Sequence, residues 1–155
     1  MITTLRKLAA LALVLVSLPL SAQYYYLPST TNGNPGGLNT DAEYPVGGGL
    51  STTWTTISTA PAATPAWSTT QTIPFSFQFN GAAVTQFKVS TSGILTFDVN
   101  ATTAPGYTKA ALPNAGIPDN SVCIWGLAST GTNDLIVNKT FGTAPNRQHW
   151  VMFSS

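Results

Sequence analysis

The stretch from Ile73 to Val99 constrains the fold most, because apolar and polar residues alternate along it in three successive segments. A period of two places alternate side chains on opposite faces of a strand, so that one face is buried and the other is wet. The pair Asn80-Gly81 follows the first segment and readily reaches the positive φ that a tight hairpin needs. The stretch therefore predicts three antiparallel strands and an all-β fold. The apolar positions are Ile73, Phe75, Phe77 and Phe79, then Phe87 and Val89, then Leu95, Phe97 and Val99.

Other short segments have strand character and are separated by turn formers. The segment Ser121–Ala128 is apolar on both faces, which predicts a central strand. Residues 101–120 contain several prolines and predict a long loop. About seven strands at this spacing favour an antiparallel two-sheet β-sandwich of jelly-roll or Ig-like type, because each apolar face needs a partner layer. The additional candidate strands are Tyr24–Leu27, Trp54–Thr59, Asp134–Phe141 and Arg147–Ser154.

The first 22 residues have the pattern of an export signal. Arg6 and Lys7 precede an apolar run from Leu8 to Leu20. That run is shorter than the roughly 18 residues that a membrane span needs, and a cleavage site follows Ala22. We therefore predict a signal peptide over residues 1–22, a secreted or cell-surface protein and no membrane span after signal removal. A membrane anchor is the alternative reading of the same run.

The low charge content and the single cysteine limit the functions that this chain can have. Only 7% of the residues are charged, whereas about a quarter is usual for a soluble domain. Arg6 and Lys7 supply the positive excess, so the mature chain offers no electrostatic footprint for nucleic acid. Cys123 is the single cysteine, so the chain can form no intramolecular disulfide. Its apolar neighbours predict a buried thiol that packs as a small hydrophobe.

The organisation of the mature chain is predicted in two parts. Residues 23–49 are rich in Gly, Pro and Asn and predict an extended N-terminal segment. Residues 50–155 are predicted to form the β-sandwich domain. The apolar strand Gln148–Phe153 stops close to the end of the chain, which would leave a sheet edge open. We therefore expect a fragment of a longer protein, incomplete at the C-terminus, with a partner strand and any sorting signal beyond Ser155.

Four features of the sequence carry a resemblance to a known group of proteins. They are IPFSFQFNG at residues 73–81, FKVSTSGILTF at 87–97, the pair Leu112-Pro113, and the tryptophan-bearing CIWGL at 123–127. The chain resembles the N-terminal β-sandwich modules of surface and secreted proteins from bacteria that use the type IX secretion route. The resemblance implies an exported, surface-associated and non-enzymatic protein, with a sorting domain at the far C-terminus of the full-length product.

The sequence lacks a convergent set of catalytic groups. His149 is the single histidine, which excludes a multi-histidine zinc site and predicts a structural or surface role. No nucleophile-elbow motif is present. We therefore predict a protein that is not an enzyme and that needs no cofactor. The alternative is a calcium site built on Asp98-Val99-Asn100 and Asp119-Asn120, although turn-forming Asx residues explain these pairs equally well. The acidic residues are Asp41, Glu43, Asp98, Asp119 and Asp134.

Aromatic residues beside loop-rich segments are the remaining functional signal. Exposed aromatic faces can stack on sugar rings, whereas Trp54 and Trp67 can equally fill the sandwich core. The candidate ligand-binding residues are Tyr24, Tyr25, Trp54, Trp67 and Tyr107.

Two hypotheses about function follow from the sequence. The first is a non-catalytic module of an exported bacterial surface or secreted protein, which serves adhesion or structural display and has a surface protein as its partner. The second is a carbohydrate-binding module that binds a glycan through those aromatic residues, as an accessory to a downstream enzyme domain.

Overall fold

The computed structural model describes residues 34–41, 53–59, 63–128 and 134–154. The predicted signal peptide and the predicted strand Tyr24–Leu27 lie outside these ranges. Within them the chain forms β-strands and one short 3-10 turn, Pro35–Gly37, and no helix has the length and apolarity needed to cross a bilayer. The strands are β1 (Thr55–Thr59), β2 (Gln71–Phe79), β3 (Ala82–Ser90), β4 (Ile94–Thr96), β5 (Ser121–Cys123), β6 (Leu135–Thr143) and β7 (Asn146–Ser154).

These seven strands form two antiparallel sheets. One sheet has the order β1-β6-β7 and the other has the order β2-β3-β4-β5. The pairing of β6 with β7 runs without interruption from Leu135↔Ser154 to Thr143↔Asn146. The predicted all-β, two-sheet architecture is therefore confirmed.

The main core lies between the two sheets. Phe87 and Val89 enter it from β3, and Ile136 enters it from β6; their exposed fractions are 2%, 0% and 4%. Full burial of one such side chain stabilises the fold by roughly 1.5–3 kcal/mol. The partly buried side chains around them are Ile57, Ile73, Leu95, Phe97, Val151 and Phe153.

A second apolar cluster covers the outer face of the three-stranded sheet. It is built on Trp54, Val137 and Phe141, and the Trp54 and Phe141 ring centroids lie 5.7 Å apart in an edge-to-face arrangement. Leu38 packs against this cluster from the N-terminal side, and Asp41 forms an ion pair with Lys139 of β6. The segment Asn34–Asp41 thus lies over the sheet, and β6 carries buried apolar side chains on both faces.

The long loop 101–120 covers the outer face of the four-stranded sheet. Lys88 Nζ donates to the carbonyl of Ala101 at 2.7 Å, and Trp125 Nε1 donates to the carbonyl of Gly106 at 2.7 Å. Ile94 and Thr96 beneath the loop are fully buried. The loop prediction for 101–120 is confirmed, because no strand or helix interrupts it.

The predicted hairpin at Asn80-Gly81 is confirmed. Phe79 pairs with Ala82 across a two-residue connection, and Asn80 and Gly81 have φ values of 51° and 75°. Two successive positive φ values define the turn whose twist matches that of the flanking strands.

Two strand predictions are wrong in extent. The strand predicted through Val99 ends at Thr96. The Phe97 amide donates to the carbonyl of Asn120 at 3.0 Å, still in register with β5, but Asn120 has a φ of 56° and ends the extended backbone that could pair further. The strand predicted as central over Ser121–Ala128 is the short edge strand β5. It ends because Trp125 has a φ of 39° and its amide donates to Gly93 rather than to a neighbouring strand.

Candidate functional site

An open groove of about 630 Å³ lies between the two sheets at the side where β2 and β7 are edge strands. Sites for small molecules in proteins have volumes of about 300–1,000 Å³ and are mostly apolar, so both the size and the lining of this groove suit a ligand. The four-stranded side contributes Ile73, Phe75, Phe77, Phe87, Leu95 and Phe97, and β7 contributes Arg147, Gln148, His149, Trp150 and Val151.

The apolar wall of the groove follows from the alternation along β2. Ile73, Phe75 and Phe77 share one face of the strand, and that face points toward the other sheet. Phe77 is 39% exposed, and its ring lies 5.7 Å from the Phe97 ring. The wall is therefore aromatic and open to solvent at its mouth.

Arg147 supplies the charge at this site. Its Nη1 donates to the carbonyl of Pro74 at 3.2 Å, and its guanidinium lies 5.1 Å from the centre of the Phe75 ring. These contacts hold the planar group against β2. In the described part of the chain no carboxylate lies within ion-pair range of Arg147, and an arginine has five N–H donors. Four donors are thus left for solvent or a ligand.

His149 lies two residues further along the same face of β7. Its Nδ1 is 2.9 Å from the hydroxyl oxygen of Thr140, and its ring meets the Phe87 ring edge-on at 5.7 Å. Burial lowers the pKa of His149, which favours the neutral imidazole. Nε2 is buried, and none of the described residues offers it a hydrogen-bond partner. A buried polar atom without a partner is costly, so this nitrogen is a point where a ligand would gain most.

The tryptophans predicted as ligand-binding residues lie on different sheets. Trp54 is 8% exposed and belongs to the cluster on the outer face of the three-stranded sheet, so its ring offers no open face. Trp67 is half-buried and pairs with Ser90 beside β3, with Lys88 Nζ 5.7 Å from the ring centre. The structure therefore does not bring these two rings together.

Tyr107, by contrast, lies near Trp67. The Tyr107 hydroxyl is 3.1 Å from the Thr91 hydroxyl, and the Thr91 amide donates to the carbonyl of Ala66, the residue before Trp67. Two of the predicted aromatic residues thus flank one short turn. Tyr24 and Tyr25 lie outside the described residues.

Two of the acidic residues, Asp41 and Asp98, have contacts that explain them without a metal ion. Asp98 Oδ1 accepts from the amide of Asn100 at 3.1 Å, the Asx turn that the sequence offered as the alternative to calcium. Across the described ranges no group of three or more His, Cys, Asp or Glu side chains is placed to hold a metal ion. The calcium site stays a prediction.

The comparison with protein families decides the affiliation of the chain. A family model described as NIDO related matches residues 48–155. The chain belongs to the NIDO-related family. No curated protein and no solved structure shows a significant match to it.

Membership places this NIDO-related module outside the cell. NIDO domains are extracellular, which indicates secretion or attachment to the surface, and the family consists of extracellular modules that are not enzymes. The matched region contains both sheets and every residue that lines the groove. The segment Asn34–Asp41, which lies over the three-stranded sheet, precedes the match.

Sequence reasoning missed the groove residues of the module. His149 was predicted as structural or surface, and Arg147 was assigned no role. The signal that was available is the alternation of Arg147, His149, Val151 and Phe153 along one strand, which places a cation and an imidazole on an otherwise apolar face. The position of that face opposite β2 depends on how the two sheets pack, which local periodicity does not specify.

Proposed function

We propose that this NIDO-related module is a non-catalytic part of an exported bacterial surface or secreted protein, and that it serves adhesion or the structural display of other domains. The observation that carries the proposal is the family match over residues 48–155, since the family is extracellular. A surface protein is the proposed partner. The proposal needs no cofactor, and chelation of calcium is expected to leave the midpoint of thermal unfolding unchanged.

Exposed apolar side chains on the edge strand β5 and directly after it favour adhesion over a purely structural role. Val122 is 50% exposed and Ile124, two residues later, is 62% exposed. Apolar side chains grouped at a free sheet edge are a common basis of protein contact.

The test is the attachment of beads that carry the purified protein to cells of the producing bacterium. The double variant Val122→Thr, Ile124→Thr keeps a β-branched residue at each position and removes apolar surface. Attachment is expected to fall severalfold in the double variant and to be unchanged in the control Leu112→Thr, which alters a side chain 60% exposed in the long loop. No attachment by the folded wild-type protein would refute an adhesive role.

The second proposed function is carbohydrate binding, as an accessory to a downstream enzyme domain. Support comes from Trp67 and Tyr107, which lie around Thr91 and are both half-buried. Binding to a glycan panel is the test. Loss of a hit in Trp67→Ala and Tyr107→Ala, with retention in the fold control Trp54→Phe, is the expected pattern. Tyr24→Ala and Tyr25→Ala extend the test to the N-terminal tyrosines.

The proposal also covers export. Residues 1–22 act as a cleaved signal peptide, residues 23–49 form the N-terminal segment, and residues 50–155 form a β-sandwich that belongs to a longer chain. The resemblance at IPFSFQFNG and FKVSTSGILTF supports the type IX route. N-terminal sequencing of the secreted protein is expected to begin at Gln23, and secretion is expected to cease in a strain that lacks the type IX apparatus. Normal secretion in that strain would refute the route and leave the adhesive role standing.

A further inference from the structure

The groove between β2 and β7 combines a shape and a chemistry that suit one class of ligand. Its wall from Ile73 to Phe77 covers four residue steps, about 13 Å along a strand. Phenylalanine rings dominate this wall, so the body of a matching ligand is apolar and elongated.

The charge of the groove specifies the head of the ligand. Arg147 is the single charged residue among the described residues that line it. Stacking on Phe75 and the bond to the Pro74 carbonyl fix the guanidinium plane, with most of its N–H donors unused. A planar guanidinium with paired donors matches the two oxygens of a carboxylate.

The imidazole of His149 provides a second donor beside the first. In the tautomer in which Nδ1 accepts from the Thr140 hydroxyl, Nε2 carries the proton and is a buried donor to which the described residues give no partner. Residues two apart on one strand face are about 6.6 Å apart at the backbone, so an anionic head that binds Arg147 also accepts from Nε2 once the side chains that cover this nitrogen move aside.

We propose that the groove binds a small amphipathic monocarboxylate, with its apolar chain along the phenylalanine wall and its carboxylate between Arg147 and His149. The ligand is taken up without covalent change. This role is separate from the adhesive function, which rests on the family and on the β5 edge at the other end of the four-stranded sheet.

The probe is decanoate, used below the concentration at which it forms micelles and compared with decan-1-ol, which has the same chain and no charge. Isothermal titration of the purified protein is expected to show saturable binding of one decanoate. Arg147→Met keeps an apolar stem and removes the charge, and should weaken decanoate binding by roughly 10- to 100-fold because a hydrogen bond to a charged group is lost. Binding of decan-1-ol should be unchanged.

Two further variants distinguish binding in the groove from non-specific attraction of an anion to positive charge. His149→Phe keeps the ring contact with Phe87, removes Nε2, and should weaken decanoate binding while leaving decan-1-ol binding intact. Lys109→Met removes an exposed cation outside the groove and should have no effect. The proposal is overturned if folded wild-type protein does not bind decanoate, or if Lys109→Met weakens binding as much as Arg147→Met. It is equally overturned if sedimentation shows a dimer that decanoate does not dissociate and that a charge placed in the groove, Phe77→Asp, converts to a monomer.

Discussion

Gly142 is the position where the structure allows the sharpest prediction of a stability effect. Its φ is +80°, a left-handed conformation that costs a residue with a side chain about 1–2 kcal/mol. A Cβ atom built there would lie 2.3 Å from the carbonyl oxygen of Asn146 and 3.1 Å from Leu38 Cδ1. The carbonyl belongs to the paired hairpin of β6 and β7, so relief of the clash requires movement of the backbone.

The magnitude of the Gly142→Ala effect is the sum of two parts. Left-handed strain contributes about 1–2 kcal/mol and forced repacking adds typically 1–3 kcal/mol. The free energy of unfolding should therefore fall by about 2–5 kcal/mol, which lowers the midpoint of thermal unfolding by roughly 4–20 °C in a chain of this size.

Two other glycines separate the cost of left-handed strain from the cost of the clash. Gly81 has a φ of +75° and open space around its Cβ position, so Gly81→Ala should lose only the 1–2 kcal/mol of strain. Gly106 has neither a positive φ nor a neighbour within 4 Å, so Gly106→Ala should be neutral. Urea denaturation of all three variants measures the series. If Gly142→Ala is no more destabilised than Gly81→Ala, the clash with Asn146 is not a constraint and the reasoning fails.

The remaining predictions concern the cores and the titrating groups. Phe87→Ala should cost about 3–5 kcal/mol in urea denaturation, since the side chain is 2% exposed between the sheets. Lys139→Met should cost about 1 kcal/mol through loss of the partly exposed pair with Asp41, and the difference from wild type should shrink in high salt. Burial lowers the pKa of His149 below its unfolded value, so the unfolded state binds more protons below about pH 6.5. The stability that this group contributes is complete above that pH and is lost as the pH falls. Between pH 7.5 and pH 5, the unfolding midpoint of wild type should therefore fall further than that of His149→Gln. Burial raises the pKa of Cys123, so iodoacetamide should modify it more slowly at pH 8 than after unfolding in urea, as mass spectrometry would show.

Local sequence patterns predict the fold well where a few adjacent residues determine the backbone conformation. The alternation in Ile73–Phe79 and the positive φ available to Asn80-Gly81 each depend on a few adjacent residues, and the β2–β3 hairpin forms as expected. The β6 and β7 segments are recovered for the same reason, because alternation and a short turn bound each of them.

The prediction fails where distant residues decide the backbone. The amides of Trp125 and Gly126 donate to the carbonyls of Gly93 and Ser92, and these contacts turn the chain out of the sheet after Cys123. An apolar run alone predicts continued strand and burial, yet Ile124 is 62% exposed. The limits of β5 are thus a property of the packed turn, which no local pattern contains.

The candidate site is the hardest part to predict for a related reason. The groove exists because β2 and β7 end their sheets on the same side, a fact of topology and sheet packing. The sequence of β7 shows that an arginine and a histidine share one strand face. It does not show that the Arg147 guanidinium lies over the Phe75 ring, because that contact depends on how the two sheets pack.

Because of the segment Asn34–Asp41, the folded unit begins before the region that the family model matches. The family match begins at residue 48, yet Leu38 helps to shield Trp54 and Phe141, and Asp41 neutralises Lys139. A recombinant chain trimmed to the family boundary would expose the Trp54 cluster and leave the Lys139 ammonium without its carboxylate partner. Its tendency to self-associate would then be mistaken for a property of the protein. A protein expressed for experiments should therefore begin upstream of Asn34, so that it includes the segment that packs on the sheet.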